Sequence, residues 1–253
     1  MLETLLPETR EILGHVRNET GARIRLVPAE AAYLSRAKLS ARKSNQITIA
    51  YNPHTESIDY AVAHEAIRYL RFRQAPPEER QLLAGNEETR MKAFKAVERE
   101  MERQPWALRE YTLRAFDNLY EGILIRLVST PGEFWINHFL KEAFPAFEGE
   151  MRKGLDAIFE RAHQNLGEDL EKISPPTIYR ATNAMNAALA NFLGELLSNE
   201  NYGAPYAGTF FGNLGKTLRL MNEQDRGHAG DMEAADKWAA LLGLRGWYVW
   251  VLL

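Results

Sequence analysis

Apolar residues recur along this chain with two different periods, and the change from one to the other marks out its elements. Between residues 3 and 18, Leu5, Ile12, Leu13 and Val16 stand among charges and lead into Asn18-Glu-Thr-Gly21. That spacing predicts an amphipathic helix ended by glycine. Residues 23–28, Arg-Ile-Arg-Leu-Val-Pro, alternate polar with apolar, and residues 46–51, Gln-Ile-Thr-Ile-Ala-Tyr, do so again. Both read as half-buried strands. Asn52-Pro-His-Thr55 then reads as a turn, with Thr55 as the N-cap of a helix whose first turn carries Glu56 and Asp59, where the helix dipole favours negative charge. The order of the first elements is therefore helix, strand, strand, helix.

Charge density rises over residues 76–104, in Glu78-Glu-Arg80, Glu87-Glu-Thr-Arg90 and Val97-Glu-Arg-Glu-Met-Glu-Arg103. This stretch predicts one or two exposed helices inserted after the fourth element. An apolar-rich helix is expected over 107–128, stopped by Ser129-Thr-Pro-Gly132, with further helices over 133–144, 146–166 and 176–197. Ser174 is expected to cap the last of these ahead of a proline in its first turn. After Asn199 the chain turns glycine-rich and aromatic, through Tyr202-Gly-Ala-Pro-Tyr-Ala-Gly-Thr-Phe-Phe-Gly212. The pattern as a whole specifies an α+β protein that is predominantly α. Residues 1–135 form one unit with its charged insertion, and 136–253 form a helical part expected to pack on it as a single compact body.

Composition narrows the functions open to such a chain. Its 253 residues suffice for one large core or two modest ones. With 31 basic and 34 acidic residues there is no electrostatic footprint for nonspecific nucleic-acid binding. The absence of cysteine removes disulfides, thiolate metal sites and cysteine nucleophiles, and leaves histidine and carboxylates as the metal-binding side chains. The beginning, Met1-Leu-Glu-Thr-Leu-Leu-Pro-Glu8, has no basic segment ahead of an apolar one, so no signal peptide is expected and the cytoplasm is the default location. The apolar tail from Trp238 is broken by Arg245 and is shorter than the ~20 residues of a spanning helix, so a buried terminal segment is expected and a membrane partner is not.

The densest chemistry lies in Tyr60-Ala-Val-Ala-His-Glu-Ala-Ile-Arg-Tyr-Leu-Arg-Phe72. His64 and Glu65 are followed by arginine at position 68, where a zinc-peptidase helix carries its second histidine. In the intact pattern two imidazoles one turn apart hold zinc, and the glutamate polarises the metal-bound water. A guanidinium has no lone pair to give a metal. At about 100° per residue, His64, Glu65, Arg68 and Arg71 share one sector of the helix. That sector reads either as a site or as a plain solvated stripe, in which Glu65 and Arg68 form an ordinary ion pair worth about 0.2–0.5 kcal/mol.

The segment Asn45-Gln-Ile-Thr-Ile-Ala-Tyr-Asn52, followed by Ile58-Asp-Tyr-Ala-Val-Ala-His-Glu65, resembles the core of the ImmA/IrrE-type metallopeptidases, which are minimal zincins. The resemblance covers about residues 1–135. It implies a short sheet beside the motif helix, His64 as a zinc ligand and Glu65 as general base. It also implies an acidic third ligand from a later helix that ends in a leucine-rich stretch and a proline. Tyr120-Glu-Gly-Ile-Leu-Ile-Arg-Leu-Val-Ser-Thr-Pro131 has that shape, which puts Glu121 at the matching position. Glu121 equally extends the polar row Glu110, Arg114, Asp117 and Asn118. The chain departs from the family at Arg68 and in the length of its charged insertion.

Other histidines are available to such a site: His54 in the turn before the motif, His138, and His228 with Asp231 in a glycine-flanked segment. Catalytic zinc takes about three protein ligands. Arg68 beside Glu65 also suits a pocket that recognises a carboxylate or phosphate in bidentate fashion. Gly212-Asn-Leu-Gly-Lys-Thr217 ends like a phosphate-binding loop, but Phe210 stands where that loop needs its first glycine and no apolar strand precedes it. The aromatic residues Tyr202, Tyr206, Phe210, Phe211, Trp238, Trp247, Tyr248 and Trp250 read as core, since no basic residues beyond Lys216, Arg219 and Arg245 interleave them. The leading expectation is a metallopeptidase relative with an altered or lost zinc site, a pseudoenzyme or binding protein that takes a peptide or protein partner. The competing readings are an active zinc hydrolase with a substituted ligand, and a helical interaction module in which the motif is coincidental.

Overall fold

The computed structural model describes residues 4–29, 35–39, 46–103 and 109–252, without the side chains of 35–39 and 109–114. Asn45 and the side chains of Glu110 and Arg114 therefore lie outside the described residues. The chain opens with helix α1 (Pro7–Thr20), strands β1 (Arg23–Pro28), β2 (Ser35–Leu39) and β3 (Gln46–Tyr51), helix α2 (Ile58–Gln74) and strand β4 (Gln81–Ala84). Helices α3 (Glu87–Glu102), α4 (Arg109–Ala143), α5 (Glu148–Gln164), α6 (Glu168–Ile173), α7 (Pro176–Leu196), α8 (Phe210–Leu220) and α9 (Gly227–Leu242) follow, and strand β5 (Val249–Leu252) closes the order. The fold is α+β and predominantly helical, as the sequence predicts. The chain divides into two discontinuous units, one of Met1–Arg80 with Trp135–Ile158 and one of Gln81–Phe134 with Phe159–Leu252.

In the first unit the three strands form a mixed sheet of order β1-β3-β2, with β1 parallel and β2 antiparallel to the central β3. Ile24 is paired with Ile47 and Leu26 with Ile49, and both β3 isoleucines are fully buried, so one face of the pleat supplies core. Helix α2 packs on β2, β3 and α1. It also meets α5, where a Cβ at Gly154 would overlap the Tyr60 ring; this accounts for a glycine in a helix interior, where it costs about 1 kcal/mol relative to alanine. The Tyr60 hydroxyl donates to Asn137 Oδ1 at 2.8 Å. With neighbours on so many sides, α2 is buried continuously from Tyr60 to Ile67 instead of showing a wet stripe.

The ends of α2 show where local reading missed. Its N-cap is Ser57 and not Thr55: Ser57 Oγ accepts from the Tyr60 amide at 3.2 Å and donates to Glu150 Oε2 at 2.9 Å. Asp59 does lie in the first turn, while Glu56 precedes the helix. At the other end Ala75 turns to the extended conformation that the following Pro76 demands. Arg80 then donates to the Ala75 and Arg73 carbonyls at 2.9 and 2.8 Å, satisfying acceptors that the helix end leaves open.

The charged stretch begins with a 3-10 turn, Pro77–Glu79, in the first unit and continues in the second as the strand β4 and one helix, α3. Asn86 and Thr89 open α3 with a reciprocal capping box. β4 pairs antiparallel with β5 at the opposite end of the sequence, Leu83 against Trp250. The expected burial of the tail holds for Trp238 and Trp247, whereas Leu252 in β5 is 60% exposed. Ser129-Thr-Pro-Gly132 does not stop α4, which runs on with Pro131 in its interior. Proline there removes one helix donor; the Pro131 carbonyl accepts from Asn222 Nδ2 at 2.9 Å and the Thr130 hydroxyl donates to the Arg126 carbonyl at 2.7 Å. The N-cap of α7 is Pro175 rather than Ser174, and no side chain caps that end. Residues 212–217 lie inside α8, where Gly215 packs so close to α7 that a Cβ would stand 2.7 Å from the Ala187 methyl group. The first-turn amides in this segment are already used, Gly212 donating to Thr209 Oγ1 at 3.0 Å and Asn213 to the Thr209 carbonyl at 3.2 Å. Among the described residues, no helix is long and apolar enough to cross a membrane.

Candidate functional site

The motif residues on α2 are buried. His64 is 6% and Glu65 7% exposed, although on a surface helix both would be wet. Glu65 Oε1 lies 3.4 Å from Arg68 Nε and 3.8 Å from His64 Nδ1, so one carboxylate oxygen stands between an imidazole and a guanidinium. The Arg68 side chain is 32% exposed and reaches from this contact toward solvent. The Tyr60 ring lies 5.5 Å from that of His64 and walls it on the preceding turn. A carboxylate taken from water this completely is costly unless a charge or hydrogen bonds compensate it, and Arg68 supplies the opposite charge. The polar sector is therefore an internal pair and not the solvated stripe that the helical wheel also allowed.

As a metal centre the set is poor. Arg68 has no lone pair to donate, and its charge repels a divalent cation from the pair it touches. Among the described residues, no group of three histidines, aspartates or glutamates is placed to hold a metal ion. His64 and Glu65 are two side chains where catalytic zinc takes about three protein ligands.

The remaining candidates fall in both units: His54 and His138 in the first, and Glu121, His228 and Asp231 in the second, where His228 and Asp231 lie one turn apart on α9. Glu121, in the second unit, is exposed on α4. His228 Nε2 lies 2.9 Å from the Gln81 carbonyl, within that same unit. Asp231 is buried with its Oδ2 3.1 Å from where a Cβ on Gly132 would be, so its carboxylate packs directly on the α4 backbone. His54 and His138 are both exposed, the first in the turn that the Asn52 side chain closes by accepting from the His54 amide at 2.9 Å. The first unit also holds a cavity of about 90 Å³ at the first turn of α2, lined by Leu5, Leu26, Tyr51, Ile58, Asp59 and Val62 among others. Neither His64 nor Arg68 lines it. Asp59 at its wall is committed to the Leu6 amide at 2.9 Å and the Thr9 hydroxyl at 2.6 Å. No family model matches this chain, and neither the curated proteins nor the solved structures return a match.

A second polar centre escaped the sequence reading. In the second unit Arg126 Nη1 donates to Asn186 Oδ1, and Asn186 is itself 3% exposed on α7. The Asn186 amide nitrogen faces the Tyr206 hydroxyl without completing a hydrogen bond. Burial pulls the Arg126 guanidinium below its ordinary pKa, opposed by Tyr206 and Glu133. Burial also pushes the Tyr206 phenol up to about 12, opposed by Arg126 and Asn186. The signal was present in the sequence: Arg126 interrupts the apolar run Ile123-Leu-Ile-Arg-Leu-Val128, and Asn183 and Asn186 interrupt an alanine-rich helix. A cation or amide in such a setting is either paired inside or facing something polar.

Proposed function

We propose that this chain is a relative of the minimal zincin metallopeptidases in which an internal charge pair has taken the place of the metal, and that it acts by binding a peptide or protein partner. What supports the reading is the burial of His64 and Glu65 on a helix packed against β3, with the guanidinium of Arg68 on the glutamate one turn on. In this reading Arg68 holds the Glu65 carboxylate in place, so that it orients its neighbours and abstracts no proton. The competing hydrolase would need Glu121 as a third ligand, and the arginine at position 68 weighs against it on donor chemistry alone.

The test is zinc titration of the wild type and of Arg68→His, followed by metal analysis after dialysis. The wild type is expected to retain less than one equivalent. The variant, with two imidazoles one turn apart on α2, is expected to gain at least about tenfold in zinc affinity. A full equivalent held by the wild type would establish a working site, and no gain in the variant would end the zincin reading.

A further inference from the structure

Arg126 differs from Arg68, which touches Glu65, in having no carboxylate within ion-pair distance among the described residues. Its protein hydrogen bond goes to a neutral amide, Asn186 Oδ1. That bond fixes the orientation of the amide, because an oxygen and not an NH2 group must face the guanidinium. The Asn186 Nδ2 donor is thereby turned away from Arg126, and it is buried without a hydrogen-bond partner. Tyr206, fully buried, donates to the Ala162 carbonyl at 3.5 Å, the long end of hydrogen-bond distance. Since burial holds the phenol protonated well above neutral pH, it too is a donor. Arg126 as a whole is half-buried, so part of the side chain meets solvent. A permanent positive charge whose acceptor is a neutral amide and a buried amide donor without a partner thus belong to one side-chain group, with the Tyr206 phenol beside them.

We propose that Arg126, Asn186 and Tyr206 form a receptor for a small monoanionic carboxylate, which would accept from the unsatisfied Asn186 Nδ2 and bring a negative charge against the Arg126 guanidinium. A planar carboxylate matches the fork of a guanidinium in bidentate fashion. The choice of a singly charged ligand follows from the local charge. Arg126 is the cation at this point, and the negative charge of Glu133 already acts on it from beyond ion-pair distance, which disfavours a phosphate dianion. This site lies within the second unit and does not depend on the reading of the His64 motif.

The experiment is a titration of the full chain with acetate, inorganic phosphate and chloride at matched ionic strength, reading the Arg126 side-chain Nε–H resonance and the melting temperature. The resonance is assigned by its loss in Arg126→Lys. Acetate is expected to shift it saturably and to raise Tm by about 3 °C at tenfold excess over Kd, with chloride inert. In Asn186→Asp a carboxylate is built in beside Arg126; the saturable acetate shift should disappear while Tm without ligand rises. Acetate acting no differently from chloride on the wild type would overturn the proposal. A stronger response to phosphate than to acetate would overturn the monoanionic assignment, and an acetate response that persists undiminished in Asn186→Asp would place the anion elsewhere.

Discussion

Two arginines, each placed one on each unit amid apolar neighbours, have been accommodated in opposite ways. Arg68 lies beside a buried carboxylate, Glu65, at 3.4 Å, so the polar centre of the first unit is closed within itself. Arg126 faces an amide and a phenol, so the polar centre of the second unit keeps its charge uncompensated by any carboxylate within ion-pair distance among the described residues. The difference teaches that burial of a cation is not by itself a structural role. A paired cation contributes to the fold, because removing it strands its partner; an unpaired one opposes the fold, because its desolvation is repaid by a single neutral hydrogen bond.

That contrast breaks most visibly under truncation. Arg68→Ala leaves Glu65 buried without its guanidinium and should cost about 3 kcal/mol, at the lower end of what breaking a buried pair costs, because Arg68 is partly exposed. Arg126→Met replaces an uncompensated cation with an apolar chain of similar length. The loss of one acceptor's partner at Asn186 and the relief of desolvation should then nearly cancel, within about 1 kcal/mol. Denaturant midpoints of both variants decide the matter. Equal losses would mean that Arg126 has a compensating partner and that the two centres are alike.

The second polar centre also has its own pH signature. The Tyr206 phenol is held neutral in the fold, with its pKa raised from the ordinary 10 to about 12 by burial. A group whose folded pKa is raised contributes stability that is complete below its unfolded pKa and is lost as pH climbs through the folded value. Stability should therefore fall between about pH 10 and 12, with Tyr206 responsible for about 2 kcal/mol of the loss. Tyr120, Tyr179 and Tyr248 are raised as well, so the share of Tyr206 is read as the difference between the wild type and Tyr206→Phe over that range. Identical alkaline transitions in the two proteins would show that the phenol is not sequestered.

How far these centres could be read from sequence follows from the range of the forces involved. The strands β1 and β3 and the helix carrying His64 were legible because alternation and helical spacing are local. The strands β4 and β5 were not, since each is only four residues long and its pairing joins distant parts of the chain. Pro131 reads locally as a stop, yet α4 continues through it with Asn222 hydrogen-bonded to the Pro131 carbonyl, which no local rule contains. At the candidate site, the identity of the pair Glu65 and Arg68 was legible from spacing alone, but its burial depends on Gly154, Asn137 and the sheet around α2. Arg126 and Asn186 are 60 positions apart, and only their being out of place in apolar surroundings marked either one.

The smallest expected effect sharpens the comparison from the outside. Arg219 and Glu195 of the second unit form a two-pronged ion pair, with Arg219 Nη2 2.5 Å from Glu195 Oε2, closer than Arg68 lies to Glu65. Their geometry is better than that of the α2 pair, but the Glu195 side chain is 67% exposed. If proximity of charge governed stability, Glu195→Gln would cost more than Arg68→Ala; if burial governs, it should cost well under about 1 kcal/mol, because water already solvates both groups and salt screens them. The hydrogen bond from Arg219 holds the Glu195 carboxyl below its ordinary pKa. A depressed folded pKa gives stability that is present above the unfolded value and lost as pH falls through the folded one, so the small contribution should fade on acidification below about pH 4 and shrink in 1 M salt. A loss in Glu195→Gln that matches or exceeds that of Arg68→Ala at neutral pH would show that pairing, and not the burial of Glu65, sets the cost of opening the centre on α2.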